Sequence, residues 1–202
     1  MRKSNKLVQG IGIKGTDYPS KIEGVILKEY SLWQQMLHRC TKAKQAKFPT
    51  YIGTSCSDNF KSYSYFYEWC QEQVGFGNKD ENGCSWHLDK DILIKGNKLY
   101  SEDTCVFVPP RVNSLLVKCD ASRGDCPVGV SFNNQCGNYK SVCNVGKGES
   151  VFLGRHSTPQ EAFQAYKAFK EDYIKEVASE YKGQIDERVY QALLKYTVEI
   201  TD

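Results

Sequence analysis

The chain lacks closely paired cysteines. It carries 9 Cys in 202 residues, yet neighbours are at least seven positions apart and no Cys-x-x-Cys occurs. That excludes the closely spaced ligand pairs of zinc knuckles and ribbons. No cysteine stands in a recognisable nucleophile motif either, so thiol-based small-molecule catalysis has no support. Long apolar runs are also missing. Nothing approaches a membrane span, and the opening Met1-Arg2-Lys3-Ser4-Asn5-Lys6-Leu7-Val8 holds no apolar core of signal-peptide length. These absences lead us to expect a cytoplasmic protein with free, mostly buried thiols and no membrane partner. The last absence is strong net charge: the formal value is only +3, which generates a useful field only where it is clustered.

What is present belongs to a folded protein. Aromatic residues make up 12% of the chain and charged residues 25%, far from a disordered composition, and the length suits one sizeable core or two small domains. The cations are clustered. Lys42, Lys44 and Lys47 stand together, as do Lys90, Lys95 and Lys98, then Arg111, Lys118 and Arg123. Such groups suit a polyanion, although any one of them taken alone also reads as a solvated face.

Residues 1–30 mix glycine and polar residues with short apolar pieces and read as an arm with one or two short strands. From Ser31, as N-cap, the spacing of Leu32, Trp33, Met36, Leu37 and Cys40 predicts a helix. Pro49 to Gly53 breaks it, and Phe60, Tyr63, Phe66, Tyr67 and Cys70 predict a second helix whose aromatic stripe is core rather than base-stacking surface. A polar, glycine-containing loop follows.

The stretch from Trp86 to Asn113 holds His87, Asp89 and Asp91 at alternate positions, so a strand there would project all three from one face. Cys105 to Val108 supplies a second strand across a connection containing Gly96, Asn97 and Ser101, and Asn113 falls on a following helical turn. In Leu88-Asp89-Lys90-Asp91, Gly96-Asn97, Tyr100-Ser101, Cys105-Val106-Phe107-Val108-Pro109 and Asn113, the stretch resembles the ββα-metal (HNH) nuclease motif, in the variant found in phage-encoded homing endonucleases. Trp33-x-x-Met-Leu-x-Arg-Cys40 and Phe66-Tyr67-x-Trp69-Cys70 are similar to the helical lead-in of those enzymes. The chain departs from the motif at Thr104, where Asn is commoner, and at Lys90, where a catalytic His is expected; His87 is the nearest substitute.

Cys119 to Asp125 reads as a polar joint. Beyond it lie β-like runs at Val128–Phe132, Tyr139–Val145 and Val151–His156, with turn-rich separators that imply an antiparallel meander. Thr158-Pro159-Gln160-Glu161 is a capping box with Pro at the first helical position. The helix it opens places Ala162, Tyr166, Phe169, Tyr173 and Val177 on one stripe and ends at Gly183, and Asp186 caps a last short helix with Val189, Leu193 and Tyr196. Gly129-Val130, Gly137-x-Tyr139, Leu153-Gly154, Thr158-Pro159-x-Glu161-Ala162 and Ala165-Tyr166 resemble an AP2-type DNA-binding domain, whose exposed sheet face enters the major groove. Strict alternation turns Val130, Tyr139, Ser141, Cys143, Val151 and Leu153 toward the helix. It leaves Ser131, Asn133, Lys140, Asn144 and Phe152 to face DNA, with Asn able to read adenine and Lys140 to hold a phosphate.

The expected fold class is α+β: an arm (1–30), an HNH-like ββα-metal domain with helical lead-in (31–118), an AP2-like three-stranded antiparallel sheet backed by a helix (119–183), and a C-terminal helix and tail (184–202). The resemblances imply a metal-dependent endonuclease acting on double-stranded DNA as a monomer or homodimer, in a host-cell cytoplasm if phage-encoded. Its divalent metal, Mg²⁺ by its preference for hard oxygen, is held by Asp89 and Asn113, with no other small-molecule cofactor. His87 is the base, since an imidazole titrating near ~6.5 can take a proton at neutral pH. Asp91 and Asn97 orient the His or the metal. The alternative is a catalytically inactive DNA-binding regulator that keeps the scaffold.

Overall fold

The computed structural model describes residues 7–117, 125–146, 148–200 and 202. The chain is mixed α and β and divides into two compact units that meet between Val108 and Pro109. Most of the polar joint expected at Cys119 to Asp125 lies outside the described residues.

In the first unit a small hairpin, β1 (Lys21–Ile22) and β2 (Val25–Ile26), precedes α1 (Lys28–Arg39), α2 (Lys42–Lys47), β3 (Ser55–Cys56), α3 (Tyr63–Glu72), β4 (His87–Asp89), β5 (Leu99–Tyr100) and β6 (Val106–Val108). The helix expected from Ser31 starts three residues earlier, after Leu27. Ser31 is therefore no cap, and its hydroxyl instead accepts from Gln35 Nε2 at 3.1 Å. α2 was not expected. Thr41 caps it by accepting from Lys44 N–H, which opens a short helix that apolar periodicity cannot reveal.

The aromatic stripe is core, as its spacing implied. Phe60, Tyr63, Phe66 and Cys70 are fully buried with Trp33, Met36 and Leu37 of α1. Trp33 Nε1 donates to Phe60 O at 2.8 Å, and Phe60 meets Trp69 edge-on at 4.9 Å between ring centroids. The arm belongs to this core too: a Cβ on Gly12 would lie 2.3 Å from Leu37 and 2.6 Å from Trp33, so only glycine fits there. β6 is buried along its whole length and pairs antiparallel with β4, His87 opposite Val108 and Asp89 opposite Val106. β3 and β5 pair in parallel.

The second unit opens with α4 (Pro110–Leu115), continues with β7 (Val130–Asn133), β8 (Asn138–Gly146) and β9 (Glu149–His156), and ends with α5 (Pro159–Glu180) and α6 (Glu187–Leu194). The strands form one antiparallel sheet in chain order. α5 carries the full capping box, with Thr158 accepting from Glu161 N–H and Glu161 returning to the cap, and stops at Glu180, short of Gly183. Its stripe covers one sheet face: Val130 and Cys143 are buried against Ala162, Phe163 and Tyr166, with Tyr139 and Leu153 packed alongside. Gly129 has φ +73°, and a Cβ there would fall 2.0 Å from the Tyr166 ring, so the strand enters over the helix only with glycine. Asp186 caps α6, as expected.

Among the described residues no helix is long and apolar enough to cross a membrane.

Candidate active site and nucleic-acid face

β4 brings His87 and Asp89 to one face, two positions apart. His87 is exposed, whereas Asp89 is partly buried where the strand ends. The Asp89 carboxylate makes an Asx turn: its Oδ1 accepts from Asp91 N–H at 2.9 Å and Ile92 N–H at 2.7 Å. Both bonds fall on one oxygen, which leaves Oδ2 outside the turn. Burial, and then the nearby Asp91 charge, hold this carboxyl above the usual carboxylate range against the two amides and Lys90. A carboxylate so placed gains from a cation.

The turn takes Asp91 off the strand, where it is exposed with its carboxylate 3.5 Å from Lys90 Nζ. Lys90 is 8% exposed, and its ammonium donates to Asn97 O at 2.8 Å. Asn97 closes the same loop from the other side. Its Nδ2 donates to Lys90 O and Leu99 O, both at 2.7 Å, and its Oδ1 accepts from Leu99 N–H at 3.1 Å. Thr104, standing where the motif more often has Asn, donates to Leu99 O at 2.9 Å and lies 2.9 Å from the Ser101 hydroxyl. Lys90, Asn97 and Thr104 thus hold the connection between β4 and β6 in shape, and the carboxamide of Asn97 is spent on the loop backbone. Asn113 belongs to the second unit, half-buried in α4, its N–H donating to Pro109 O at 3.0 Å.

On the sheet face away from α5, the register sets Ser131 opposite Lys140 and Lys140 opposite Arg155. Val142 stands opposite Phe152, and Asn144 opposite Ser150. Phe152 is 56% exposed, with Lys140 Nζ 5.8 Å from its ring centroid. Asn133 and Asn144 are turn residues as well as face residues. Asn133 Oδ1 accepts from Gln135 and Cys136 N–H, and Asn144 Oδ1 from Gly146 N–H at 2.7 Å. Bidentate reading of adenine needs that oxygen together with Nδ2; two turn amides fill the oxygen of Asn133, while that of Asn144 meets one and keeps a second lone pair.

Arg155 was missed by strict alternation, which places it with Leu153 on the helix side. The register shifts between Ser141 and Val142, so β9 gains one residue and Arg155 moves to the exposed face. Gly154, at φ +117°, was the available signal, because a glycine within a strand often marks a bulge.

No family model, no curated protein and no solved structure matches this chain.

Proposed function

We propose that the protein is a metal-dependent DNA endonuclease, with the open sheet face of the second unit holding duplex DNA and His87 and Asp89 serving the cleavage. The observation that carries this reading is the pairing of β4 with β6, which sets an exposed imidazole and a cation-hungry carboxylate on one strand face. The Ser131, Lys140 and Arg155 row, flanked by exposed Phe152, is an exposed polar and cationic surface; such a face suits phosphate contact and shallow groove insertion.

Among the described residues no three His, Cys, Asp or Glu side chains cluster as a metal cage. Within the first unit the donor that fits a hard divalent cation is Asp89 Oδ2, with water filling the other positions of a largely hydrated Mg²⁺; Asn113 belongs to the second unit and is not counted with it. When bound, such an ion would neutralise charge building on the phosphate. His87 would take a proton from the attacking water, and the Asx turn fixes the Asp89 carboxylate beforehand, so none of its ordering is left to the moment of reaction.

A second reading, a DNA-binding regulator without catalysis, is favoured by the same turn, since Asp89 has a structural duty that would keep it in place without any chemistry. Plasmid nicking with Mg²⁺ or with EDTA separates the two. Cleavage that EDTA stops should fall at least ~10²-fold in Asp89→Ala and roughly 10²–10⁴-fold in His87→Ala, with gel-shift affinity retained. Duplex binding with no metal-dependent nicking would leave the regulator.

A further inference from the structure

The first unit carries a cationic surface that neither His87 nor Asp89 uses. From Tyr30 to Ser57 the chain has no Asp or Glu, while Arg39, Lys42, Lys44 and Lys47 fall within that span. The last three lie on α2, where no residue is buried. Gln45, on the same helix, is its anchor: Nε2 donates to Cys40 O at 3.2 Å and to Thr54 O at 2.8 Å, and Oε1 accepts from Gly53 N–H at 3.3 Å. The three lysines are left outside these bonds.

Aromatic rings hold two of these lysines. Lys44 Nζ sits 3.9 Å from the Phe48 centroid and 5.7 Å from that of Tyr51, Lys47 Nζ is 5.7 Å from Phe48, and the Arg39 guanidinium is 5.9 Å from Tyr51. Lys98 Nζ joins the group by donating to Thr50 O at 2.8 Å. Elsewhere cations meet carboxylates, as Lys61 does Asp58, Lys167 does Glu171 and Arg188 does Asp186. Among the described residues none of Arg39, Lys42, Lys44 and Lys47 does. A helix of six residues is about 9 Å long, close to the Debye length of ~8 Å at physiological salt, so its lysines act on a partner together.

We infer that α2 and the turn after it form a second duplex-DNA contact, which grips the phosphate backbone through Lys42, Lys44 and Lys47. The inference rests on the proposed DNA-directed function and adds a point of grip on the unit that holds His87. Charge complementarity selects the partner: duplex DNA presents one negative charge per ~1.7 Å of axis, and the patch offers cations with no internal counter-charge. Base stacking is disfavoured because Phe48 already has an ammonium over its ring and is only 38% exposed. The contact is therefore with phosphates and reads no sequence.

The test uses the full chain and fluorescence anisotropy with a duplex at several salt concentrations. Lys42→Gln/Lys44→Gln/Lys47→Gln should lower the slope of log affinity against log salt by about 0.9 per lost phosphate contact, close to ~2.7 in all. Between 50 and 200 mM salt the wild type should then lose about 40-fold more affinity than the variant. Lys21→Gln/Lys79→Gln/Lys182→Gln changes the net charge equally and should leave the slope near that of wild type, and the triple Lys→Arg variant on α2 should restore it. Equal slopes in the two Gln variants, with wild-type duplex binding intact, would overturn the α2 contact and leave the proposed function standing. A wild type with no duplex affinity would overturn the proposed function itself. Preference of the patch for anionic vesicles or single strands, seen as loss of those affinities and not of duplex affinity in the α2 variant, would also overturn it.

Discussion

At the residue scale the most informative side chain is Asp89, because its two oxygens have different duties. Oδ1 holds the Asx turn through Asp91 and Ile92, a duty that an amide oxygen performs equally well. The negative charge, by contrast, is disfavoured by burial and by Asp91. Asp89→Asn should therefore keep the turn, raise the melting temperature and abolish Mg²⁺-dependent nicking. A thermal melt alongside the nicking assay checks both halves, and a lower melting temperature would mean that the charge stabilises the fold through some other partner. Arg155 is the second residue of interest. Opposite Lys140 on the open face, it should contribute to duplex affinity at every sequence, so Arg155→Ala should weaken binding and lower the salt slope by about one contact. An unchanged slope would take this row of the sheet out of the interface.

At the element scale α6 depends on its cap. Asp186 accepts from Arg188 N–H at 2.8 Å and also from the Arg188 guanidinium, with Nη2 at 2.8 Å from Oδ2. The Arg188 hydrogen bonds hold its carboxyl below the usual range against the cost of burial. A carboxylate with a depressed folded pKa stabilises the fold above its unfolded pKa of ~3.9, and that stability is lost as pH falls through the folded value. Asp186→Ala should cost about 1 kcal/mol at pH 7, and the difference from wild type should shrink toward pH 3. Urea denaturation at the two pH values measures it. A gap that stays constant would mean that the carboxylate charge has no part in the cap.

At the scale of the whole molecule, the division at Val108 and Pro109 changes what an independent DNA-binding piece must contain. Val198, beyond α6, is 4% exposed within the core between sheet and helix. Its carbonyl accepts from Lys167 Nζ at 2.6 Å and its N–H donates to Glu171 Oε1 at 2.8 Å. At the other end, Arg111 of α4 pairs bidentately with Glu180 of α5. A fragment spanning residues 109–202 should unfold cooperatively and bind duplex DNA without cutting it. One spanning 119–183 lacks Val198 and Arg111 and should be markedly less stable, since burial of one Val side chain alone is worth roughly 1.5–3 kcal/mol. Circular dichroism melts of the two fragments decide this, and equal stability would show that the tail is dispensable.

Local chemistry was legible in the sequence by itself. The capping box at Thr158 and the N-cap at Asp186, the aromatic core stripe of α3, the three-stranded meander with α5 behind it, and the alternation that puts His87 with Asp89 all follow from periods of two and of 3.6 residues and from the hydrogen bonds that helix ends require. Tertiary structure decided what depends on register and on distant partners. One added residue in β9 turned Arg155 outward, the Asn133 and Asn144 oxygens went to turn amides, and Asn97 was spent on closing its own loop. Trp33 and Leu37 drew the glycine arm into a core, and Val198 came back to another across the length of α6. Periodicity records which side of an element is apolar, but which backbone amide a carboxamide meets is set only when segments far apart in the chain pack together.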